Sequence, residues 1–378
     1  IVETSSPGIE KTHRCEFMGL HGIQNGLMKF KNVKVPRENI ILGEGEGLKL
    51  ALMTLNTGRL TLPAASSGIG RWCLNVVRQW SSKRHQWGSA IGEHEAVALK
   101  ISYIASHAFA MDAVTWLTSA MADDKHRDIR LEAAIAKFFS TETCWKVADD
   151  TLQIRGGSGY ETSSSLRKRG ADYWPVERVL RDLRINRIIE GTTDIMHLFI
   201  AREALDPHLS KIKPLISGRT SIGEKLSAAL KMAAFYALWY PKQWLPSIAP
   251  SNIANLPEPL NQHMMYVQSA SKRLARGTFH QMMKFQQKLE SKQSILNRIV
   301  DIGTELFVIS AVCSYAAYLK KKGQDNALDL ANSFCVQSRK RIEGIFNDSS
   351  SNNDKADLKI AKKILAREFE WMETEIIK

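Results

Sequence analysis

The feature that most constrains the fold is a helical hydrophobic period that persists over most of the chain. From Gly47 onward, apolar residues recur with the spacing of one face of an α-helix. The pattern predicts long helices over residues 48–84, 93–122, 130–154 and from Thr192 or Thr193 to about Leu205, with a short helix at 176–184. Long helices joined by loops are typical of an antiparallel bundle, so we expect a four-helix bundle.

The first 42 residues have a different pattern. Leu27–Phe30 and Val33–Val35 alternate between apolar and polar side chains, and Pro36 ends the second segment, so both predict strands. The chain begins in what reads as the middle of a strand, and we therefore expect further sequence upstream.

A second helical region follows the bundle. Pro207 and Pro214 indicate a break, because proline disrupts the interior of a helix. Further helical patterns lie at residues 222–239, 258–289, 291–322, 326–346 and 355–376. The sequence predicts a mainly α protein with three parts: the end of a β-domain at 1–45, the bundle at 46–214 and an additional helical domain at 215–378.

Composition argues against several classes of function. Five widely spaced cysteines favour a reducing compartment, such as bacterial cytoplasm or mitochondrial matrix, over a disulfide framework. Histidines occur singly, so no metal site is predicted. The net charge of +13 is mixed with acidic residues and accompanies no nucleic-acid-binding motif, so no nucleic-acid partner is expected. The apolar run Leu306–Leu319 is too short to span a bilayer and predicts a buried helix.

The most unusual local feature is Glu190, which follows Ile188 and Ile189 and precedes Gly191. An apolar setting disfavours the charged form of a carboxylate, which suits a general base. Gly191 allows another group to approach the backbone closely. The alternative is that Glu190 only precedes a helix and complements its dipole.

Two further segments carry candidate ligand contacts. Gln153–Tyr160 contains three glycines after a helix, which either admit a ligand to the backbone or form a C-cap and turn. Arg84–Gly88 ends a helix with a cation, an aromatic residue and glycine, which either bind a phosphate or cap the helix.

In this order, the segments resemble the acyl-CoA dehydrogenase family. The resemblance is carried by Arg59, by Arg84 with Trp87 and Gly88, by Gln153 with Gly156, Gly157, Gly159 and Tyr160, by Pro175–Arg178 with Arg181 and Asp182, and by Glu190-Gly191-Thr192. Upstream, Gly19-Leu20-x-Gly22 and Val35-Pro36 resemble the end of that family's middle β-domain. The resemblance covers residues 1 to about 208 and implies that an N-terminal helical domain and most of the β-domain precede this sequence.

The resemblance also implies roles. Glu190 matches the base that removes the α-proton of a fatty acyl-CoA while the β-hydrogen leaves as hydride to FAD. Positions that bind FAD, partly across a homodimer interface, are matched by Arg84, Trp87, Gln153, Gly156, Gly157, Thr192 and Asp194. Arg59 and Gly191 match positions at the acyl site. Arg181 and Asp182 are expected to form a structural ion pair.

Two departures from the family pattern are the longer loop Thr162–Trp174 and His94 in place of the usual Gln. Residues 215–378 resemble the extra domain of the very-long-chain branch, which implies long acyl chains, dimerisation and peripheral membrane contact. The expected electron acceptor is an electron-transfer flavoprotein. The alternatives are an acyl-CoA oxidase that uses oxygen, and a non-catalytic helical fragment that docks partners.

Overall fold

A computed structural model gives the fold and describes residues 1–124, 126–216, 221–247, 253 and 255–374. The elements are β1 (Ile9–Arg14), β2 (Gly26–Phe30), α1 (Gly47–Lys83), β3 (His85–Gln86), β4 (Ser89–Ala90), α2 (Glu95–Asp123), α3 (Arg130–Arg155), α4 (Gly157–Tyr160), α5 (Ser163–Lys168), α6 (Val176–Arg184), α7 (Thr193–Ile216), α8 (Ile222–Lys242), α9 (Leu260–Phe285), α10 (Gln293–Lys321), α11 (Ala327–Ser350) and α12 (Asp354–Leu365). The mainly α fold predicted from the sequence is confirmed.

The N-terminal segment is an exposed antiparallel hairpin in which β1 pairs with β2. The predicted strand at residues 27–30 is present, whereas the prediction of a strand at Val33–Val35 was wrong and β1 was missed. Among the described residues, no strand pairs with residues 33–35. An alternating pattern of apolar and polar side chains does not by itself form a strand, because cross-strand pairs stabilise it.

The loop between β1 and β2 is attached to α6. The Leu20 N–H donates to Asp182 Oδ1 at 2.6 Å, and Arg181 Nη1 donates to the Met18 carbonyl oxygen at 2.9 Å. The expected Arg181–Asp182 ion pair was wrong, because Arg181 pairs with Glu177 one turn earlier on α6. Arg181 and Asp182 instead each hold the hairpin loop against α6.

Four long helices form the bundle: α1 packs against α2 and α3, and α7 packs against α3. Their apolar faces meet in a core that includes Cys73, Ile104, Val114 and Val147, none of which is exposed to solvent. Burial of these faces, rather than intrinsic helix propensity, supplies most of the stability of such a bundle.

Helix α7 continues through both prolines at which a break was predicted. Pro207 and Pro214 lie inside Thr193–Ile216, so that prediction was wrong. Packing of α7 against α3, α8 and α10 outweighs the local cost of two missing N–H donors. The last predicted helix, residues 355–376, ends earlier, at Leu365, and residues 375–376 lie outside the described residues.

The helices beyond residue 258 extend the core of the bundle. Both α10 and α11 pack against α2, and Ile309 and Phe334 belong to the same buried cluster as Ile104 and Phe139. Helix α10 is long and apolar enough to cross a membrane, but its apolar side chains form this core, which confirms the burial predicted for Leu306–Leu319. The division into parts 1–45, 46–214 and 215–378 stays a prediction.

A substitution in the shared core tests whether the two helical regions unfold together. Phe334 is fully buried on α11, with its ring centroid 5.1 Å from that of His107 on α2 and 6.0 Å from that of Phe139 on α3. We expect Phe334→Ala to lower the free energy of unfolding by about 3–5 kcal/mol because it leaves a cavity between the regions. The measurement is urea unfolding followed by circular dichroism.

The matched control is Val336→Ala on the same helix, where the side chain is 40% exposed and an effect within about 0.5 kcal/mol is expected. If Phe334→Ala shifted only one of two separate unfolding transitions, the two regions would have independent cores and the expectation would fail.

Candidate functional site

The turn between α6 and α7 carries Glu190 in a sterically unfavourable backbone conformation. Glu190 has φ +59° and Gly191 has φ +101°. A left-handed conformation is uncommon for a residue with a side chain, and such residues concentrate at functional sites. Gly191 also lies tight against α7, where an added Cβ would be 2.7 Å from Met196 Sδ. The positive φ therefore favours glycine directly after the glutamate, and any side chain there would also displace Met196.

The Glu190 carboxylate lies against α1 at Gly58. An added Cβ at Gly58 would be 2.5 Å from Glu190 Oε1 and 2.6 Å from Glu190 Cδ, so a side chain there would displace the carboxylate. The other oxygen, Oε2, is buried and has no hydrogen-bond partner among the residues that the structure describes. A carboxylate oxygen that is shielded from water and accepts no protein hydrogen bond is available to accept a proton from a ligand.

Arg59 lies next to this pocket and is only 9% exposed. Its Cζ is 4.4 Å from the centroid of the Phe199 ring, which holds the guanidinium against α7. Burial lowers the pKa of Arg59, and the charges of Glu190 and Glu203 act in the opposite direction. The structure therefore brings Arg59, Glu190 and Gly191 together, as the sequence predicted.

Helix α3 holds the turn through two charged side chains. Glu142 accepts hydrogen bonds from the Arg187 guanidinium, 2.8 Å from Nε, and from the Thr193 hydroxyl. Lys137, which has no exposed surface, donates from Nζ to the Gly191 carbonyl oxygen at 2.7 Å. Residues on both sides of Glu190 are thus bound to a single buried helix.

Thr192 and Asp194 begin the helix that follows the glutamate. The Thr192 hydroxyl oxygen accepts a hydrogen bond from the Ile195 N–H at 3.3 Å and caps α7. Asp194 is exposed in the first turn, where an acidic side chain favourably meets the helix dipole. Both residues have structural explanations, and their assignment to a cofactor stays a prediction.

A second group of predicted residues lines a cleft of about 660 Å³. Its lining includes Trp80, Arg84, Arg155, Gly156, Gly157 and Asp172. Arg84 is exposed at the C-terminal end of α1, and an added Cβ on either glycine would meet nothing within 4 Å. Open space therefore faces bare backbone and a cation, an arrangement that suits a phosphate-bearing ligand.

Arg155 is a buried cation in the wall of this cleft and is only 2% exposed. Its Nη2 donates to the Asp172 carbonyl oxygen at 2.9 Å, and its Cζ is 4.4 Å from the Trp80 ring centroid. Nε and Nη1 have no hydrogen-bond partner among the described residues. Burial lowers the pKa of Arg155, so an anion in the cleft would stabilise its charged form.

The loop Thr162–Trp174, which is longer than expected, forms one side of the cleft. Thr162 caps α5, and Arg169 makes a bidentate ion pair with Glu161 at 2.7–3.1 Å. Arg169 and Asp172 both reach the cleft lining. The loop is therefore an ordered wall of the cleft.

Two predicted residues lie outside the cleft lining. Trp87 is 88% exposed with φ +49° in the tight turn between β3 and β4, and its ring meets that of His94 edge-on at 5.9 Å. Gln153 is exposed on α3. His94 Nε2 donates to the Gln86 carbonyl oxygen at 3.0 Å, so this histidine holds the same turn.

Sequence reasoning missed three residues of these sites. A lysine at 137, inside the otherwise apolar run Ala133–Phe139, is a signal that could have identified a buried cation. Arg155 reads as an ordinary cation in the last turn of a helix. Gly58 has no local signal, because its role depends on a carboxylate that is distant in sequence.

The sequence matches two family models. Residues 45–205 match the acyl-CoA dehydrogenase C-terminal domain, and residues 258–369 match the ACAD9/ACADV C-terminal domain. The first match contains both the turn that carries Glu190 and the cleft.

Curated relatives extend this similarity to the whole chain. A probable acyl-CoA dehydrogenase, FadE10, from Mycobacterium tuberculosis is 46% identical over 380 residues, which cover 100% of this chain and 58% of the relative. The mitochondrial very long-chain specific acyl-CoA dehydrogenase of Rattus norvegicus is 29% identical over 367 residues, or 95% of this chain and 53% of the relative. The chain thus spans between half and three fifths of the length of these relatives.

Among solved structures, an acyl-CoA dehydrogenase complexed with FAD from Bacillus anthracis matches with a TM-score of 0.68. The match covers 95% of this chain and 60% of that chain at 20% identity, and so it concerns the fold alone. The two consecutive family matches and the relatives in which both regions occur lead to one conclusion: the chain belongs to the acyl-CoA dehydrogenase family and matches its C-terminal domains.

Proposed function

We propose that the protein containing this chain is an FAD-dependent acyl-CoA dehydrogenase in which Glu190 removes the α-proton of a fatty acyl-CoA. The observation that carries the proposal is the Glu190 carboxylate, which is held on a left-handed turn with one oxygen buried and unpartnered among the described residues. Relatives named as acyl-CoA dehydrogenases that align with the whole chain support the reaction class.

The residues around Glu190 fit the removal of a weakly acidic proton. Water is excluded from Oε2, so an incoming C–H group meets no competing solvent proton. Arg59 is close enough for its positive charge and the negative charge of the carboxylate to attract each other. Glu190 then holds the proton on a carboxylate oxygen, and its backbone N–H is available to the thioester oxygen on which negative charge develops.

The cleft fits the phosphate-bearing part of FAD. Arg84 and the buried Arg155 supply positive charge, and Gly156 and Gly157 present backbone toward open space. We assign these residues to the cofactor pyrophosphate or the adjacent nucleotide. Bound FAD would supply the acceptor for the β-hydrogen of the substrate.

Several finer features belong to the same proposal. Similarity to very long-chain specific enzymes supports long acyl chains as substrates. The family resemblance of the sequence implies an electron-transfer flavoprotein as the electron acceptor. None of the site residues favours oxygen as the electron acceptor. Measuring the release of hydrogen peroxide would distinguish an acyl-CoA oxidase from a dehydrogenase. A homodimer in which each chain completes the cofactor site of the other is the arrangement that the family resemblance implies.

Peripheral membrane contact is assigned to α8 rather than to the long apolar helix α10, which is buried. Leu226, Leu230 and Leu238 on α8 are 63–70% exposed, and the same helix carries an exposed Lys231 and a half-buried Lys225. Exposed apolar side chains combined with cations are typical of helices that lie on anionic membranes.

Removal of the base by Glu190→Gln should preserve shape but abolish proton abstraction. We expect reduction of bound flavin by palmitoyl-CoA to slow by at least about 100-fold in the full-length enzyme, because positioned bases contribute roughly 10²–10⁴-fold. The measurement is stopped-flow loss of flavin absorbance without oxygen. Glu132→Gln, the same change at a half-buried carboxylate on α3, is the control and should have no effect. A loss below about tenfold for Glu190→Gln would remove Glu190 from the role of base.

The Arg84→Ala variant tests the cleft. Loss of a charge-assisted hydrogen bond costs about 1.5–3 kcal/mol, so the dissociation constant for FAD should rise about 10- to 100-fold. Flavin fluorescence during titration of the apoenzyme measures this constant. Arg78→Ala, an exposed arginine on α1 outside the cleft lining, should bind FAD normally. Equal retention of flavin by the wild type and Arg84→Ala would contradict the assignment.

Membrane contact is tested by the double variant Leu226→Ser and Leu230→Ser. Binding of an apolar helix face scales with its buried area, so we expect flotation with anionic vesicles at low salt to fall about tenfold or more. High salt should weaken binding of the wild type, because it screens the cations. Leu99→Ser, at a position 64% exposed on α2, is the control. If the double variant floated like the wild type, α8 would not be the contact.

A further inference from the structure

Lys137 is a fully buried lysine directly behind the turn that carries Glu190. It has no exposed surface, and its Nζ donates to the Gly191 carbonyl oxygen at 2.7 Å. Among the described residues, no carboxylate lies within ion-pair distance of it. An ammonium group in such a place costs free energy that a neutral donor would avoid.

The charges facing Lys137 come from each element packed around it. Burial lowers the pKa of Lys137 to about 8, Glu142 on its own helix and Glu190 on the turn act to raise it, and Arg59 on α1 acts to lower it. The amine therefore carries its charge at neutral pH and loses it as the pH rises through about 8. The two nearby carboxylates include the proposed base itself.

The carbonyl that Lys137 binds controls the direction of the turn. Glu190 and Gly191 have successive positive φ angles, so the Gly191 carbonyl oxygen turns toward α3 while the Glu190 side chain lies against Gly58 on α1. Glu142 fixes the flanking residues Arg187 and Thr193, but neither of its contacts reaches the Gly191–Thr192 peptide, whose carbonyl oxygen accepts from Lys137. Without the ammonium, that peptide could rotate and move the carboxylate.

We propose that Lys137 is a positioning residue for the dehydrogenation: its hydrogen bond to the Gly191 carbonyl oxygen fixes the turn so that the Glu190 carboxylate stays aimed at the substrate. This inference rests on the proposed function, because it assigns Lys137 a role through Glu190. Lys137 itself touches neither substrate nor cofactor.

The test substitutes Lys137→Met in the full-length holoenzyme and measures flavin reduction by palmitoyl-CoA. Methionine keeps a similar volume and removes the donor. Small misplacements of a reacting group cost up to about 100-fold in rate, so we expect the rate constant of flavin reduction to fall ~10- to 100-fold. The dissociation constant for palmitoyl-CoA and the flavin content should stay within about twofold, because the substitution acts on the base and not on binding.

The matched control is Lys146→Met, the same change on the same helix at a half-exposed lysine that pairs with Asp150. It should reduce flavin at the wild-type rate. A merely structural role for Lys137 would lower thermal stability and flavin content together and leave the rate per bound flavin unchanged. That result would overturn the proposal.

A second readout uses pH and does not require a folded Met variant. In the wild type and in Lys146→Met, the rate of flavin reduction should decline as the pH rises through about 8, where Lys137 loses its charge. Lys137→Gln, which keeps a neutral donor, should show a lower rate without that decline. A wild-type rate that stays constant from neutral pH to well above 8 would also overturn the proposal. Failure of the proposed function would give a different result from failure of this proposal. In that case no acyl-CoA would reduce the flavin of the wild-type enzyme.

Discussion

The burial of α3 among the other helices is the constraint on which the rest of the structure depends. The helix lies against α1, α2, α6 and α7, and its charged side chains must find partners inside the protein. Lys137 and Glu142 bind the turn before α7, Asp150 pairs with Lys100 on α2, and Arg155 binds the backbone of the loop that walls the cleft. The burial of α3, which stabilises the bundle, therefore also shapes both candidate sites.

The C-terminal helices contribute to the site through α7. His197, one turn after Thr193, makes hydrogen bonds through Nδ1 to the Thr193 carbonyl oxygen at 2.9 Å and through Nε2 to Asp301 Oδ1 at 2.8 Å. Burial acts to lower the pKa of His197, but the hydrogen bond and charge of Asp301, together with the Thr193 carbonyl and the charge of Asp194, raise it overall. Two acceptors around one ring favour the protonated form, which ties the first turn of α7 to α10.

Much of the fold was predictable because helical periodicity is a local property. The boundaries of α1, α2 and α3 agree with the sequence pattern to within two residues. The failures occurred where a distant partner decided the outcome. No strand in the described part of the chain pairs with residues 33–35, α7 passes through Pro207 and Pro214 because neighbouring helices pack on it, and Arg181 pairs within α6.

The sequence by itself determined the helices, the family resemblance and the position of Glu190, since each is written in consecutive or regularly spaced residues. Only the tertiary structure decided what surrounds that glutamate. Gly58 makes room for the carboxylate, Lys137 holds the Gly191–Thr192 peptide, and Arg155 becomes a buried cation beside a cleft. These contacts join residues far apart in the chain, and their energetics arise from burial, which exists only once the helices have packed together.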